Sequence, residues 1–396
     1  MPNLTPSVAQ LPSSGIREIL DLVFTAPDNI VRLEIGEPDF ATPAHIVEAA
    51  FEATRRGSSY LPSGGMPALR SALRDRVARD YGSTASVEQV LVTQGAVQAI
   101  DAIMSAVVGP GDDVLVPDPA WPNYEMQATL IGARAVHYGL HPASGFQPDL
   151  AEIARLITPR TRAIVLNSPN NPTGAVLPAD TVRQIVELAV RHDLLVISDE
   201  VYDEIIFDGS PANAAQYAPE HVASVYSFSK TYAMTGWRVG YAVLPTWLAG
   251  GVSRVLETSI SCVSSVTQAA ALAAVTGPQR AVGEMRDAYR ARRDVAVEVL
   301  REAGIDVPAP AGAFYLMIPL APEADARRSA LDLVGRGVSL SPGTAFGSTA
   351  GHHLRVSLAT SEDGIRLGMQ RFIDWYRETD GGLALGRRAE ASASAR

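Results

Sequence analysis

The chain has 396 residues, 47% of them hydrophobic and 19% charged, and its formal net charge is −10. Single hydrophobic cores stop growing at roughly 250–300 residues, so this length predicts two domains, and the composition excludes global disorder. The acidic balance without a Lys/Arg block argues against nucleic-acid binding. The chain has no apolar stretch of about 18 residues and its N-terminus lacks signal-peptide features, so we expect a cytoplasmic protein with no membrane contact.

Short β-branched runs alternate with helical patterns through the middle of the chain. Examples of the helical patterns are AVQAIDAIMSAVV (from Ala96) and ADTVRQIVELAVRH (from Ala179). The strand-like runs are QVLVTQG (from Gln89), DVLVPDP (from Asp113), AIVLNSP (from Ala163), LLVISDE (from Leu194), SVYSFSK (from Ser224) and VGYAVLP (from Val239). Nearly continuous apolar strands separated by helices predict an α/β fold with a buried, mostly parallel sheet flanked by helices.

The chain divides into four predicted segments. Residues 1–40 form an N-terminal arm and a segment of the small domain, and residues 41–284 form the large domain. A long charged helical pattern begins after Pro278, and residues 285–380 are predicted to form a small α+β domain. Residues 381–396 mix Gly, Ala, Ser and charge, a composition typical of a disordered tail.

Chemically useful side chains cluster where the predicted strands end, which is where parallel sheets bind ligands. They supply a helix start, an aromatic ring, an amide, a carboxylate, a phenol and a lysine beside hydroxyl groups, at residues 93–96, 118–121, 167–174, 199–202 and 227–230. This set fits pyridoxal 5′-phosphate, which requires an anion site, ring stacking, a partner for its pyridine nitrogen and a lysine for a Schiff base. Each feature alone has an ordinary explanation as a turn, a core residue or a solvated side chain. Their joint occurrence at strand ends indicates a site.

The motifs in the chain resemble those of a known enzyme family between residues 33 and 372. The motifs are LEIGEPDF (from Leu33), YLPSGGMPALR (from Tyr60), TQGAVQAI (from Thr93), PDPAWPNY (from Pro117), SPNNPTG (from Ser168), SDEVYD (from Ser198), SFSKTYAMTGWRVGY (from Ser227) and LRVSLA (from Leu354). The sequence resembles the class I/II, fold-type I aminotransferases that use pyridoxal phosphate, in the aspartate-aminotransferase-like branch. The resemblance implies a large domain with a seven-stranded type of sheet and a smaller α+β domain built from both ends of the chain.

The resemblance assigns residues to the cofactor ring. It implies that Lys230 forms the Schiff base and moves the proton between substrate and cofactor. Asp199 would pair with the protonated pyridine nitrogen, while Tyr202 and Asn171 would bind the ring hydroxyl oxygen. Trp121 would stack on the ring face.

The resemblance also assigns residues to the cofactor phosphate. The backbone of Gly95 and Ala96, the Ser227 hydroxyl and the Arg238 guanidinium would form the cradle, because a helix start and a planar fork both suit a phosphate. Tyr60 would reach the phosphate from a neighbouring subunit. The active enzyme is therefore expected to be a homodimer.

The substrate residues follow from the same resemblance. Arg355 would bind the α-carboxylate of the substrate, with Gly36 and Asn171 completing that site. Val97 stands where aspartate-specific relatives carry a lysine for the distal carboxylate, so strict aspartate specificity is in doubt. Arg17 is a candidate for that distal carboxylate, and a solvated residue at a helix start is the alternative.

The expected activity is transamination from an L-amino acid to a 2-oxo acid, with 2-oxoglutarate as the acceptor, by a ping-pong mechanism through Lys230. A Cβ–S lyase, a decarboxylase or a ring-closing synthase on the same fold is the alternative, because these enzymes share the cofactor motifs. A non-catalytic regulator is a remote alternative, since it would need a DNA-binding module ahead of the fold. Cys262 and the pair His352-His353 are not expected to bind a metal.

Overall fold

The computed structural model describes residues 3–11, 15–25, 29–210 and 212–383, and the statements below concern these residues. Residues 384–396, most of the predicted tail, lie outside them, as do residues 1–2 and 12–14 of the predicted arm. The α-helices are α1 (Pro6–Ala9), α2 (Gly15–Thr25), α3 (Ala44–Arg56), α4 (Pro67–Tyr81), α5 (Gly95–Val107), α6 (Asn123–Ile131), α7 (Leu150–Leu156), α8 (Ala179–Arg191), α9 (Phe228–Thr231), α10 (Thr246–Ile260), α11 (Ser265–Thr276), α12 (Arg280–Glu302), α13 (Ala326–Gly335) and α14 (Glu362–Glu378).

The strands form one large sheet and two small ones. The strands are β1 (Val31–Arg32), β2 (Val90–Thr93), β3 (Asp113–Asp118), β4 (Arg134–Gly139), β5 (Thr161–Asn167), β6 (Leu195–Asp199), β7 (Val222–Ser227), β8 (Gly240–Val243), β9 (Tyr315–Pro319), β10 (Val338–Ser339), β11 (Ser341–Pro342) and β12 (His353–Ser357). Short 3₁₀ helices lie at Val87–Gln89, Pro142–Ser144, Ala214–Gln216, Pro219–His221, Thr235–Trp237 and Gly343–Ala345.

The large sheet has seven strands in the order β2-β8-β7-β6-β5-β3-β4, and the chain is an α/β protein as predicted. Only β8 runs antiparallel to its neighbours β2 and β7, so the sheet is mostly parallel. Each of the six strand-like runs overlaps a strand of this sheet. The strand that the sequence pattern missed is β4, which lies at one edge and is partly exposed over its first four residues. Its sequence, RAVHYG, has polar residues among the apolar ones and lacks the continuous apolar run by which the buried strands were recognised.

The helical patterns found in the sequence cover the sheet. In α5, Ala96, Ala99, Ile100 and Ile103 are all buried, the spacing of a helix with one face against a core. The helices α8 and α12 likewise occupy the segments predicted for them. Because α5 begins directly after β2, its N-terminus lies at the edge of the sheet where the parallel strands end.

Outside the large sheet, a hydrophobic cluster joins residues from the N-terminal and C-terminal parts of the chain. Ile19 and Leu33 pack with apolar residues that follow residue 284, and β1 pairs with β10. Around this cluster β12 lies between β9 and β11 in an antiparallel sheet.

The domain boundaries given above stay predictions. Within the described part of the chain, no helix is both long and apolar enough to cross a bilayer.

Candidate active site

One cavity of about 450 Å³ lies where β5, β6 and β7 end. All the residues predicted for the site line it except Gly95, Tyr60 and Arg17. The predicted residues in its wall are Gly36, Ala96, Trp121, Asn171, Asp199, Tyr202, Ser227, Lys230, Arg238 and Arg355, and the others are Ile16, Ile35, Val97, Asn123, Tyr124, Asn167, Val201, Ser229, Thr235 and Tyr315.

Lys230 lies on the short helix α9, directly after β7. Ser227 caps this helix by accepting a hydrogen bond from the Ser229 backbone nitrogen at 3.1 Å. The Lys230 ammonium donates to the Gly36 carbonyl oxygen at 2.5 Å. Burial lowers the pKa of Lys230 to about 8, helped by Arg355 and opposed by the nearby Glu37. An amine with this pKa gains and loses a proton close to neutral pH.

Asp199 ends β6 with its carboxylate buried in the cavity wall. Tyr124 Oη donates to Asp199 Oδ2 at 2.5 Å, and the Val201 backbone nitrogen donates to Oδ1 at 3.2 Å. Burial raises the pKa of Asp199 to about 6, and these two hydrogen bonds oppose the rise. A buried carboxylate without a cation is costly, so this one is suited to a cationic ligand.

Tyr124 was missed by the sequence analysis although it belongs to the quoted PDPAWPNY motif. It follows Trp121 by three residues, and the two rings meet edge to face with centroids 5.5 Å apart. Residues three apart at a helix start lie on the same side, and α6 begins at Asn123. The spacing from Trp121 therefore could have predicted that Tyr124 also faces the site.

Arg355 is buried on the central strand β12 of the small antiparallel sheet. Its Nη1 donates to Asn171 Oδ1 at 2.9 Å, and its Nη2 donates to the Glu34 carbonyl oxygen at 2.5 Å. Its Nε has no hydrogen-bond partner among the described residues. Burial lowers the pKa of Arg355, although tyrosines 315 and 202 partly oppose this. An arginine with a spare buried donor fits a carboxylate that comes from outside the chain.

Tyr202 and Asn171 line the same cavity as Lys230 and Arg355. Tyr202 Oη is 2.9 Å from Tyr315 Oη, and burial raises the pKa of Tyr202, so its phenol stays protonated. The Asn171 backbone nitrogen donates to Asn167 Oδ1 at 2.8 Å. The Tyr202 side chain is therefore held by Tyr315, and the Asn171 side chain by Arg355, before any ligand binds.

The start of α5 and Arg238 form a concave, positively polarised corner. Gly95 has a φ of 77°, a left-handed backbone conformation that favours glycine, and a Cβ on it would lie 2.9 Å from Arg238 Nη2. Arg238 Nη1 donates to the Thr235 carbonyl oxygen at 2.8 Å. Backbone N–H groups at a helix start, together with a guanidinium, suit a phosphate.

Two predicted residues lie away from this cavity. The Tyr60 side chain is 90% exposed, and Arg17 is exposed on α2, whereas its neighbour Ile16 lines the cavity. Val97, which stands where aspartate-specific relatives are expected to carry a lysine, lines the cavity. Its side chain brings no cation for a second carboxylate of the substrate.

These observations fit pyridoxal phosphate as the bound group. The corner at Gly95 would take its phosphate, the Asp199 carboxylate its ring nitrogen, and the Lys230 amine its aldehyde carbon. The spare Nε of Arg355 remains for the carboxylate of an amino acid.

Comparisons with known proteins agree with this chemistry. The family model "Aminotransferase class I and II" matches residues 28–372. The aspartate/prephenate aminotransferase of Thermus thermophilus is 40% identical over 349 residues, covering 87% of this chain and 90% of that protein. The arginine–pyruvate transaminase of Pseudomonas aeruginosa is 38% identical over 351 residues, covering 87% and 89%. The structure of Thermus thermophilus aspartate aminotransferase with maleate matches with a TM-score of 0.91 and 38% identity, covering 94% of this chain and all of that one.

Proposed function

This chain belongs to the class I and II aminotransferases, and from that premise we propose that its cavity moves an amino group from a neutral or aromatic L-amino acid to 2-oxoglutarate. The enzyme is a pyridoxal-phosphate-dependent aminotransferase. Aspartate is the second choice of amino donor. One observation carries the proposal: a partly buried amine, a buried carboxylate and a buried guanidinium with a spare donor, on Lys230, Asp199 and Arg355, line the same cavity.

Lys230 is the residue proposed to hold the cofactor covalently and to transfer the proton. It is the only lysine in the sequence, so no other side chain of the protein offers a primary amine. When bound, pyridoxal phosphate supplies an aldehyde that takes up the amino group and a ring that withdraws electrons from the α-carbon. Because the pKa of Lys230 is about 8, its Nζ is able to accept the α-carbon proton near neutral pH.

Other residues are proposed to orient the cofactor. Asp199 would pair with the ring nitrogen, and Tyr202 and Asn171 would bind the ring oxygen. Trp121 would cover the ring face. The burial of Asp199 supports its role, since a carboxylate in an apolar wall strongly favours a cation.

The phosphate is proposed to be held by Gly95, Ala96, Ser227 and Arg238 of one subunit and by Tyr60 of a second. The exposure of the Tyr60 side chain on the single chain supports a homodimer, since a large aromatic ring at the surface is suited to an interface. The Tyr60 hydroxyl would then add one donor to the corner at Gly95.

The substrate is proposed to bind by its α-carboxylate to Arg355, near Gly36 and Asn171. The wall beyond this point contains Ile16 and Val97, which supports a neutral or aromatic side chain on the donor. Amino acid and 2-oxo acid would use the same carboxylate site in turn, which makes a ping-pong sequence the expected kinetic order.

Borohydride reduction of the holoenzyme, followed by peptide mapping, tests the covalent role of Lys230. We expect one cofactor per chain, on Lys230, and none in Lys230→Arg, which keeps the charge but lacks the reactive amine. A reduced adduct at the N-terminal amine with Lys230 unmodified would contradict the assignment.

Mixing the holoenzyme with single amino acids, without an acceptor, tests the reaction and its donor. We expect stoichiometric conversion of the cofactor to its pyridoxamine form with phenylalanine or leucine, and slower conversion with aspartate. Release of sulfide, carbon dioxide or a cyclised product instead would indicate one of the other chemistries.

A further inference from the structure

Tyr315 lies in the cavity wall without a role in the function proposed above. It is the first residue of β9, and its side chain is 2% exposed. In the β9–β12 register Tyr315 pairs with Ser357, so Arg355 lies two residues along the neighbouring strand. Residues in this diagonal relation share one face of a sheet, and long side chains there make contact.

The Tyr315 ring holds the Arg355 guanidinium. Arg355 Cζ is 4.3 Å from the centroid of the Tyr315 ring and 4.6 Å from that of Phe346, so the guanidinium is packed against both aromatic rings. Aromatic faces attract a cation, and the effect grows where water is excluded. The two rings therefore fix the orientation of the guanidinium plane, and with it the direction of the spare Nε–H.

The Tyr315 hydroxyl contacts a different part of the site. Its Oη is 2.9 Å from Tyr202 Oη, and each hydroxyl carries one proton. If Tyr202 donates its proton to the cofactor ring oxygen, the proton between the two tyrosines belongs to Tyr315. Burial raises the pKa of both phenols, so both protons are present at neutral pH.

Gly36 completes this arrangement. A Cβ on Gly36 would overlap Tyr315 Oη, so the hydroxyl occupies space that only glycine leaves. The Gly36 carbonyl oxygen accepts the Lys230 ammonium at 2.5 Å. The Tyr315 side chain thus touches the carboxylate-binding arginine, the ring-oxygen partner and the backbone that holds the lysine.

We propose that Tyr315 is a positioning residue with two separable functions: its ring orients Arg355 toward the substrate carboxylate, and its hydroxyl makes Tyr202 a hydrogen-bond donor to the cofactor ring oxygen. This proposal rests on the proposed function, since it needs the cofactor and the substrate in the places given above. A hydroxyl that accepts a hydrogen bond becomes a better donor, so the Tyr315 proton strengthens the bond that Tyr202 makes.

Two substitutions separate the ring from the hydroxyl. Tyr315→Phe removes only the hydroxyl, and Tyr315→Leu removes the aromatic face as well. Tyr289→Phe is a matched control: Tyr289 is buried in the same hydrophobic cluster, its Oη has no described hydrogen-bond partner, and it does not line the cavity.

The first readout is the pH midpoint of the absorbance change of the bound cofactor, without substrate. Donation from Tyr202 stabilises the ionised ring oxygen, so a weaker bond in Tyr315→Phe should move the midpoint upward by roughly half a pH unit. Tyr289→Phe should leave the midpoint unchanged. In a Tyr202→Phe background, Tyr315→Phe should add no further shift, because the two hydroxyls act as one unit.

The second readout is the dissociation constant of 3-phenylpropionate, a carboxylate that has no amino group and does not react. Tyr315→Phe should keep this constant within about twofold, whereas Tyr315→Leu should raise it about tenfold, because only the leucine variant removes the aromatic face. If Tyr315→Leu does not fold, as judged by circular dichroism, the phenylalanine variants still decide the role of the hydroxyl.

The outcomes distinguish this proposal from the proposed function. A wild-type protein that shows no cofactor absorbance or no response to the carboxylate would overturn the proposed function itself. A normal wild type whose Tyr315→Phe variant titrates like Tyr289→Phe would overturn the positioning role. A Tyr315→Phe variant that loses carboxylate affinity with an unchanged midpoint would overturn the division between ring and hydroxyl.

Discussion

Two buried arginines of this protein lie in opposite electrostatic surroundings. Arg76 Nη2 donates to Asp203 Oδ2 at 2.6 Å and to Glu204 Oε1 at 2.8 Å. Arg355 donates to an amide oxygen and a carbonyl oxygen, and the ion pairs between described residues do not include it. Burial lowers the pKa of both arginines, but Asp203 reverses the effect at Arg76, whose pKa is raised overall.

The difference separates a structural cation from a cation that is proposed to bind a ligand. Arg76 lies on α4 and ties that helix to the segment after β6, where Asp203 also accepts from Tyr81 Oη at 2.7 Å. Its charge is compensated within the chain. The charge of Arg355 is buried with neutral partners, an arrangement that costs free energy until an anion binds. The following predictions test this contrast.

Replacing Arg355 should have the largest effect on activity. Arg355→Met removes the fork for the substrate carboxylate, so kcat/KM for any amino donor should fall roughly a thousandfold, equivalent to about 4 kcal/mol. The unfolding free energy of the apoprotein should change little, because removing an uncompensated buried charge offsets the loss of the hydrogen bonds to Asn171 and Glu34. Steady-state kinetics and urea unfolding measure the two effects, and an unchanged kcat/KM would remove Arg355 from the carboxylate site. Arg355→Lys keeps the charge but lacks the planar fork, so its kcat/KM should lie between those of the wild type and of Arg355→Met.

Replacing Arg76 should have its effect on stability. Arg76→Met leaves Asp203 buried without its cation, and breaking a buried ion pair from one side costs about 3–5 kcal/mol of unfolding free energy. KM for the amino donor should stay near the wild-type value. Arg183→Met is the control, since Arg183 pairs with Asp180 and Glu187 at the surface, where such pairs contribute about 0–1 kcal/mol. Equal losses for the two variants in urea unfolding would contradict the contrast.

The sequence could predict the part of the site that depends on local chain order. Asp199 is the last residue of one apolar strand and Lys230 lies three residues after another. Because the ends of parallel strands meet at one edge of a sheet, their proximity follows from the strand pattern. Arg355 was found from its motif alone. The contacts of Arg76 with Asp203 and of Tyr315 with Arg355 were not predictable, because they depend on how segments distant in sequence pack and on strand register.

Lys230 is partly buried and, like Arg355, has no carboxylate in hydrogen-bond contact. The free-energy cost of desolvating its ammonium should appear in the pH dependence of stability. Its pKa is about 8 in the folded apoprotein against 10.5 in the unfolded chain, so the folded state is destabilised fully below pH 8. Between pH 8 and 10.5 only the folded chain loses the proton, so wild-type stability rises with pH. Lys230→Met should therefore be more stable than wild type by about 3 kcal/mol at neutral pH, and this gain should disappear near pH 10.5.

Urea unfolding of the apoproteins at pH 7.5 and 10.5 measures this difference. Lys230→Arg is the matched control, because its guanidinium stays charged at both values and should bring no gain. A Lys230→Met protein that is no more stable than wild type at pH 7.5 would show that the ammonium is well solvated in the folded state.

The smallest expected effect concerns Arg17 and the second carboxylate of 2-oxoglutarate. The described cations that line the cavity are Lys230, Arg238 and Arg355, and each already has a proposed partner. Arg17 follows Ile16, which lines the cavity from α2, and the prediction is that its long side chain reaches the distal carboxylate when the acceptor is bound. Arg17→Ala should then raise KM for 2-oxoglutarate about two- to fivefold, the size expected for an exposed charge pair. Pyruvate, which lacks the distal carboxylate, serves as the internal control, and its KM should not change. Equal effects on both acceptors would show that Arg17 acts only as part of the helix, and the acceptor would then be bound through its α-carboxylate alone.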